Sequence, residues 1–345
     1  MNAKKRVLLG QVIKKTAFCL FVAVLIGSIA FTFPTLLTLT VEHDQNQTLS
    51  EVFEQFPVTV DPRNKSIVES VHVNAFFEET YSPSQAAIGN VHAVAKSVFE
   101  WMALSIAATP WYQNLAAVAT VDNRLVAIAP GMRKEQVVKA FGNALMWSDA
   151  ERKEFLTAKD NPLLEGSFLP GIYPVSTDVS PRAAQTLLHD RFTQKVLSRY
   201  GTTTAEIVPL TQALIIASLI EREAGGPEDA RFISGIIWNR LFINMNLQID
   251  ATLQYAKANK RSTANWWPKV VPADRFIESP YNTYLHRGLP PTPIANPSVA
   301  SILAALNPRE TSCLFYFHDA AQKFHCTETY AEHVALLKKH YGRGK

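Results

Sequence analysis

The sequence predicts an α+β protein with one N-terminal transmembrane helix, then a small α/β module and a larger α+β domain. Three observations predict this order. A long charge-free stretch lies near the N-terminus, a strand–turn–helix pattern begins near Arg124, and two helix-like apolar segments lie between Pro209 and Met245. The chain has 345 residues, which is enough for about two domains.

The N-terminal stretch is typical of a membrane anchor. Thr16–Val41 carries no charged residue, and about 20 apolar residues suffice to cross the hydrocarbon core of a membrane. Five basic residues precede this stretch, and Glu42 and Asp44 follow it. The positive-inside rule therefore predicts a single-pass protein of the cytoplasmic (inner) membrane. Residues 1–15 would be cytoplasmic, residues 16–40 would span the membrane, and the C-terminal domain would be extracytoplasmic or periplasmic.

A cleaved signal peptide is the alternative interpretation of the same stretch. The apolar run is long for a signal peptide, and no small-x-small cleavage site closes it. The sequence therefore favours an uncleaved anchor.

The net charge of +4 arises from the first fifteen residues, which hold five of the 34 basic residues and no acidic residue. The rest of the chain has 29 basic against 30 acidic residues, a net charge of −1. Nucleic-acid binding needs a basic surface that neutralises phosphates. Nucleic acid is therefore not an expected partner.

Residues 41–175 are expected to form a polar stalk followed by a small module. Arg124–Ala129 has the composition of a strand, the Pro130-Gly131 pair forms a turn, and Lys134–Phe141 begins a helix. Strand–turn–helix units of this size occur in small carbohydrate-binding modules.

Residues 176–345 are expected to form the larger domain, which is mostly helical. Helices are predicted from the Ser180-Pro181 cap to Gly201, over Pro209–Ala224, along the stripe Ile233, Ile236, Ile237 and Leu241, after Asn296-Pro297, and at the C-terminus, where Tyr330, Val334, Leu337 and Tyr341 share a face. The stripe on the last helix is expected to belong to the core.

Glu221 is the leading candidate for a catalytic residue. It follows the apolar run Leu214–Ile220 and shares a helix face with Ala217. A carboxylate on an apolar stripe costs free energy unless it is paired or protonated, and a protonated carboxyl group can act as a general acid. The alternative is that Glu221-Arg222-Glu223 forms a solvated last turn.

Two further features have both a functional and a structural interpretation. Arg240 points partly toward the apolar stripe of its helix, where it could grip a carboxylate or a sugar oxygen or extend its charged group to solvent. Ser279–Pro297 is rich in Pro and Tyr and cannot form regular structure. It could line a cleft for a polar polymer or form a rigid surface connection.

The cysteines Cys313 and Cys326 flank two short strands with a predicted turn at Asp319-Ala320. In that register the two cysteines lie directly opposite each other. Outside the cytoplasm the two cysteines could form a disulfide. The alternative is two free thiols, because the geometry of paired strands permits a disulfide only at certain residue pairs.

No metal site and no cofactor are expected. His318, His325 and His333 lie close together in sequence, but no HxxxH or HExxH spacing accompanies them. The sequence also has no GxSxG elbow and no Walker loop.

Five segments follow one another at the spacing of a known family. They are SLIEREA at Ser218–Ala224, IIWNRL at Ile236–Leu241, LQIDATLQYA at Leu247–Ala256, SPYNTYLHRGLPPTPIANP at Ser279–Pro297, and LFYF at Leu314–Phe317. Together they resemble the MltG (YceG-like) endolytic murein lytic transglycosylases, and the resemblance extends from about Gly131 to the C-terminus.

The resemblance implies a membrane-anchored enzyme with a LysM-like module within residues 41–175 and a catalytic YceG-like domain over residues 176–345. Such an enzyme cleaves the MurNAc-β-1,4-GlcNAc bond within glycan strands and leaves 1,6-anhydro-MurNAc ends, which would help to terminate or trim nascent strands. The implied partners are peptidoglycan glycan strands and peptidoglycan synthases.

The family's site residues can be placed on this sequence one by one. The catalytic glutamate falls on Glu221. The implied substrate-binding residues are Asn239, Arg240, Gln248, Asp250, Tyr281, Asn282, Thr283 and Tyr284. The chain departs from the family pattern at Ala251, where the family usually has Pro, and at Thr292 and Ser298, where it usually has Gly.

Two other functions compete with this one. A hydrolytic muramidase would use Asp250 or Glu223 as a second carboxylate, because hydrolysis usually needs two carboxylates. A catalytically inactive, membrane-anchored scaffold would bind glycan and recruit synthases without cutting it. The intact SLIERE and YNTY motifs favour the transglycosylase over the scaffold.

Overall fold

The computed structural model describes residues 55–81, 123–157, 165–260 and 265–342. The predicted cytoplasmic residues 1–15, the predicted membrane span over residues 16–40 and most of the stalk lie outside these ranges. Among the described helices, none has the length and apolar character that a membrane crossing requires. Within the described residues helix and strand are mixed, as an α+β fold requires.

The described chain begins with a short antiparallel hairpin and a helix. Strand β1 is Val60–Asp61, strand β2 is Ser66–Ile67, and helix α1 is Val71–Tyr81. Phe56, Val60 and Phe77 from this segment are buried in the main hydrophobic core. The segment therefore packs against the larger domain.

A βααβ unit comes next. It consists of strand β3 (Asn123–Ile128), helix α2 (Lys134–Ala144), helix α3 (Asp149–Thr157) and strand β4 (Gly171–Ser176). The two strands pair antiparallel from Asn123–Ser176 to Ile128–Gly171. Both helices pack aromatic and aliphatic side chains against the sheet, and Phe141 stacks on Trp147 and Phe155. The predicted strand–turn–helix pattern is confirmed here.

Helix α4 (Pro181–Phe192) joins this unit to the larger domain. Ser180 caps it by accepting a hydrogen bond from the Ala183 N–H. Leu188 is buried in the core of the βααβ unit, whereas Phe192 is buried in the main core. The prediction that this helix runs to Gly201 is wrong in its last part, because a π-helical turn over Thr193–Leu197 replaces the α-helix.

The main core is built around one helix. The larger domain continues with α5 (Thr202–Ile207), α6 (Leu210–Glu223), α7 (Pro227–Phe242), α8 (Asp250–Lys260), a 3₁₀ turn (Pro272–Phe276) and α9 (Val299–Leu306). Every residue of α6 from Ala213 to Ile220 is buried, and α7, α8 and α9 pack against it. Burying one large aliphatic side chain contributes about 1.5–3 kcal/mol to the free energy of unfolding. Helix α6 buries several of them and therefore contributes strongly to the stability of the domain.

The structure agrees closely with the predicted limits of α6 and shifts those of α9. Pro209 is the N-cap of α6. In the stripe predicted for α7, Ile233, Ile236 and Ile237 are buried and Leu241 is half-buried. Helix α9 begins two residues later than the predicted Asn296-Pro297 start, because Ser298 is the N-cap and its hydroxyl accepts from the Ser301 N–H.

The C-terminal elements are a hairpin and a helix. Strands β5 (Phe315–His318) and β6 (Phe324–Thr327) pair antiparallel, with Tyr316 opposite Cys326. The predicted register, with Cys313 opposite Cys326, is therefore wrong. The loop between the strands is longer than expected, since one carboxylate oxygen of Asp319 accepts the N–H groups of Ala321 and Lys323. A disulfide nevertheless joins Cys313 and Cys326, whose Cα atoms are 5.8 Å apart.

Helix α10 (Tyr330–Tyr341) closes the chain, as predicted, but its expected core stripe does not form. None of its residues is fully buried, and Tyr330 and Tyr341 are 64% and 41% exposed. The helix packs onto the small hairpin rather than into the main core, which leaves much of its apolar face uncovered.

Candidate active site

The last turn of α6 points three successive side chains in three directions. Glu221 faces the N-terminus of α9. Arg222 lies over the ring of Trp267, with its guanidinium carbon 3.9 Å from the ring centroid. Glu223 faces β5 and the start of α8. The three residues are half-buried, so this turn is not the solvated helix end of the alternative interpretation.

The Glu221 carboxylate is held through a single oxygen. Its Oε2 accepts the backbone N–H of Ser298 at 2.8 Å, the Ser298 hydroxyl at 2.7 Å and the Ser301 hydroxyl at 2.7 Å. The positive end of the α9 dipole adds a favourable field for the carboxylate. In the described part of the chain no group donates to Oε1, which leaves that oxygen available for proton transfer.

Glu221 lies at the edge of a cavity of about 210 Å³. The cavity is lined by small and apolar residues, namely Phe77, Ala224, Gly225, Gly226, Ala230, Ser298, Ala300 and Ser301, together with Glu221. Glu221 is the sole ionisable residue among the described residues that line it. Glu221 is the one member of the predicted site residues that lines this cavity, whose described residues therefore hold one carboxyl group and not a pair.

Ser298 and Ser301 were not identified from the sequence, and Ser298 stands where the family usually has Gly. We expect Ser298→Ala and Ser301→Ala each to lower a reaction rate that depends on Glu221 by about 10- to 150-fold, because a hydrogen bond to a charged group contributes about 1.5–3 kcal/mol. Ser298→Ala also removes the N-cap hydroxyl of α9. Initial rates at saturating substrate would measure the effect. Ser298→Thr and Ser301→Thr keep the hydroxyl and should retain most activity, and equal losses in the Thr and Ala variants would contradict the assignment.

The loop Ser279–Pro297 lies beside this site and is held by its own predicted binding residues. Asn282 is fully buried, and its amide donates to the carbonyls of Arg275 and Ile277. Thr283 is buried and accepts the Ile249 N–H at 3.0 Å. The structure thus places Asn282 and Thr283 as supports of the loop, which has no regular secondary structure, as predicted.

Tyr281 and Tyr284 are the more accessible residues of the same motif. The Tyr281 hydroxyl lies 2.8 Å from the hydroxyl of Thr292, and its ring packs on Tyr255. The Tyr284 hydroxyl donates to Asp250 at 2.6 Å. Thr292, which stands where the family usually has Gly, therefore contributes a hydroxyl that contacts Tyr281.

Asp250 and Tyr284 belong to a polar cluster that also contains Glu223 and Tyr316. Glu223 accepts the Tyr316 hydroxyl at 2.9 Å and the Ala251 N–H at 3.3 Å. Loss of solvation, with the nearby Asp250 charge, raises the pKa of the Glu223 carboxyl. Loss of solvation also raises the pKa of the Tyr316 phenol. Glu223 does not line the cavity that Glu221 borders.

Asn239 and Arg240 bind backbone carbonyls in this structure. The Asn239 amide donates to the carbonyls of Thr311 and Cys313, at 2.7 and 3.2 Å. Arg240 is 6% exposed and donates to the carbonyls of Leu314 and Leu247. Their side chains therefore brace the segments on either side of α7. A direct contact of either residue with substrate stays a prediction.

Gln248 differs from the other predicted binding residues. Its side chain is exposed, and its backbone has a φ of 51° in the left-handed region. The Gln248 N–H donates to the Thr283 carbonyl at 3.1 Å. The side chains of Gln248 and Asp250 are both exposed.

Buried hydrogen bonds of the Asn296 side chain join the βααβ unit to the loop Ser279–Pro297, and this group of contacts is called the hub below. The sequence did not reveal it. Asn296 is fully buried. Its side-chain Oδ1 accepts the N–H groups of Gly166 and Phe168, and its side-chain Nδ2 donates to the Met132 carbonyl and to Glu165. Asn296 lies two residues before Ser298. The hub therefore connects the position of the βααβ unit to the Glu221 pocket.

Glu165, at the centre of this hub, is 6% exposed, and burial raises the pKa of its carboxyl from 4.5 to about 8. The folded protein therefore binds a proton on Glu165 at pH values where the unfolded chain releases it. The free energy of unfolding should fall as pH rises between about 4.5 and 8, by at most about 1.4 kcal/mol per pH unit.

Glu165→Gln should remove this pH dependence. The amide carbonyl can still accept from the Lys134 N–H and the Asn296 amide, which are the contacts of the Glu165 carboxyl. Urea unfolding of both proteins at pH 5 and pH 8 would measure the difference. If both proteins lost the same stability over this range, the neutral state of Glu165 would be ruled out.

Comparison with known proteins places the chain in a family. The family model described as YceG-like matches residues 101–339. An endolytic murein transglycosylase of Bacillus subtilis is 33% identical over 254 residues, which cover 66% of this chain and 68% of the relative. A protein of the same name from Streptococcus pneumoniae strain D39 is 27% identical over 191 residues, which cover 54% of this chain and 34% of the relative.

The solved structures include a similar fold. The crystal structure of a YceG-like protein from Listeria monocytogenes has a TM-score of 0.53 and 25% sequence identity, over 66% of this chain and 80% of that chain. The family model spans more than half of the sequence, including every predicted site residue. The chain therefore belongs to the YceG-like family.

Proposed function

We propose that this protein is an endolytic peptidoglycan lytic transglycosylase, which cleaves the MurNAc-β-1,4-GlcNAc bond within glycan strands and leaves 1,6-anhydro-MurNAc ends. The observation that carries the proposal is the single carboxyl group of Glu221 at the edge of the cavity. The relatives named endolytic murein transglycosylases support it.

One carboxyl group is sufficient for this reaction because it acts twice. In the proposed reaction, Oε1 of Glu221 delivers a proton to the glycosidic oxygen as the bond from that oxygen to C1 of MurNAc breaks. The resulting carboxylate takes the proton of the C6 hydroxyl, and O6 forms the new bond to C1. The donors on Oε2 keep the carboxyl group in place during both steps and support its anionic form after the first.

The muramidase alternative is less well supported by the site. Hydrolysis usually needs two carboxyl groups that flank the bond, about 5–9.5 Å apart. Glu223 hydrogen-bonds to Tyr316 and Asp250 accepts from Tyr284, and neither lines the cavity among its described residues.

The setting of the enzyme is also part of the proposal. Residues 16–40 would anchor the protein in the cytoplasmic membrane with the catalytic domain outside, and the Cys313–Cys326 disulfide fits an oxidising compartment. The βααβ unit over residues 123–176 would serve as the LysM-like glycan-binding module. Peptidoglycan synthases would be partners, and cleavage would terminate or trim nascent strands.

Mass spectrometry of the products tests the proposal directly. Full-length protein incubated with purified peptidoglycan should produce anhydro-muramyl ends from internal bonds. Reducing ends, heavier by one water, would show a muramidase instead. Glycan binding without any product, and unchanged in Glu221→Gln, would show the catalytically inactive scaffold.

A further inference from the structure

The turn of the C-terminal hairpin and the end of helix α10 bring together three potential metal ligands. They are Asp319, His325 and His340, and one ligand atom from each lies within 4.8 Å of the other two. The sequence pointed to His318, His325 and His333 and showed no metal-binding spacing among them. The fold selects a different trio, with ligands from the turn, from β6 and from the last turn of α10.

The distances fit a small transition-metal ion. The Oδ2 atom of Asp319 lies 2.8 Å from His325 Nε2 and 3.7 Å from His340 Nδ1. Bonds of about 2.0–2.1 Å at tetrahedral angles place ligand atoms roughly 3.3 Å apart. The two distances to Asp319 lie on either side of this value, and the ligand nitrogens of the two histidines lie within 4.8 Å of each other. Side-chain rotations that bring the two nitrogens toward roughly 3.3 Å would close the site.

The ligands are held in position by their surroundings. The Oδ1 atom of Asp319 accepts the N–H groups of Ala321 and Lys323, at 2.9 and 3.0 Å, and this leaves Oδ2 directed at the imidazoles. The ring of Phe317 stacks on His325 at 5.0 Å and meets His340 edge-on at 5.8 Å. Fixed ligands of this kind reduce the cost of ordering a metal site.

The site remains accessible from solvent. The side chains of Asp319, His325 and His340 are 13%, 17% and 26% exposed. An ion can therefore enter, and a water molecule can occupy a fourth position. Imidazole and carboxylate ligands favour zinc over magnesium or calcium, which prefer sites made of oxygen.

From these observations we propose that Asp319 Oδ2, His325 Nε2 and His340 Nδ1 form a zinc-binding site that fastens helix α10 to the hairpin. Zinc would take the place of the hydrogen bond between His325 Nε2 and Asp319 Oδ2, and His325 would bind the ion through a deprotonated Nε2. A metal link of this kind would stabilise the position of α10, because none of the residues of α10 is fully buried. The hairpin in turn carries Tyr316, which donates to Glu223.

Isothermal titration of the metal-free, full-length protein with Zn²⁺ alone tests the proposal. We expect one ion per chain, and at least about 100-fold weaker binding in His340→Ala and in Asp319→Asn. The matched control is His286→Ala, which removes an exposed histidine outside the trio and should bind like the wild type. Mg²⁺ should not bind at the same concentrations.

A second readout separates a metal site from a fold defect. Hydrogen exchange of the α10 backbone should slow when Zn²⁺ is added to the wild type and should not change in His340→Ala. His340 lies in the last turn of α10, which has no fully buried residue, so this variant should fold normally. Absence of Zn²⁺ binding, or binding that is the same in His340→Ala and the wild type, would overturn the proposal.

Discussion

Glu221→Gln is expected to lower the rate of strand cleavage by about 10³-fold or more. General acid and base catalysis each contribute about 10²–10⁴-fold, and Glu221 supplies both in the proposed reaction. A glutamine carbonyl can still accept the Ser298 and Ser301 donors, so the fold and glycan binding should be retained. The rate of anhydro-end formation, measured beside glycan binding, would test this.

The matched control is Glu206→Gln, which neutralises an exposed glutamate on α5. This variant should cleave at the rate of the wild type. If Glu221→Gln kept more than about a tenth of the wild-type rate, Glu221 would not be the acid and base. If it lost both cleavage and thermal stability, a structural role would explain the loss.

Asn296→Ala should cause the largest loss of stability, about 3–5 kcal/mol. The substitution removes four hydrogen bonds and leaves the N–H groups of Gly166 and Phe168, the Met132 carbonyl and Glu165 with one partner fewer in a buried region. Each buried polar group left without a partner costs about 1–3 kcal/mol. Cleavage should also fall, because Ser298 is displaced together with the hub.

Urea unfolding measures the stability change, and Asn143→Ala is its control. Asn143 is exposed and makes one side-chain contact, to Arg152, so its loss should change stability by less than about 0.5 kcal/mol. A change below about 1 kcal/mol in Asn296→Ala would contradict the role of Asn296 as the link between the βααβ unit and the active site.

Local sequence signals predicted the elements that depend on local chemistry. Pro209 and the apolar run that follows it placed α6 within a residue at each end, and Ser180 placed the start of α4. The same signals identified Glu221 at the end of α6. The position of Glu221 at the end of an apolar helix depends on one continuous segment, so it can be predicted from the sequence.

The partners of Glu221 could not be predicted in the same way. Ser298 and Ser301 lie 77 and 80 residues further along the chain, and only the packing of α9 on α6 brings them together. The Ser-x-x-Ser pattern of the α9 cap was the available signal, but Pro297 drew the predicted helix start two residues too early. The buried contacts of Asn239 and Arg240 depend on packing of the same kind.

The hairpin shows the limit of turn prediction. The Asp319-Ala320 pair suggested a tight turn, whereas the structure has a loop in which Asp319 accepts two backbone N–H groups and Gln322 has a φ of 62°. The additional residues shift the strand register. They also place His325 beside Asp319, which no spacing rule would have suggested.

Cleavage in water enriched in ¹⁸O tests the central claim most directly, namely that Glu221 cuts the strand without a water molecule. Full-length protein and a glycan strand of defined length would react in labelled water, and mass spectrometry would weigh both products. We predict two products whose masses add up to the mass of the substrate, with no ¹⁸O in either. A product heavier by one labelled water would mean that water attacks C1, and would contradict the single-carboxylate mechanism.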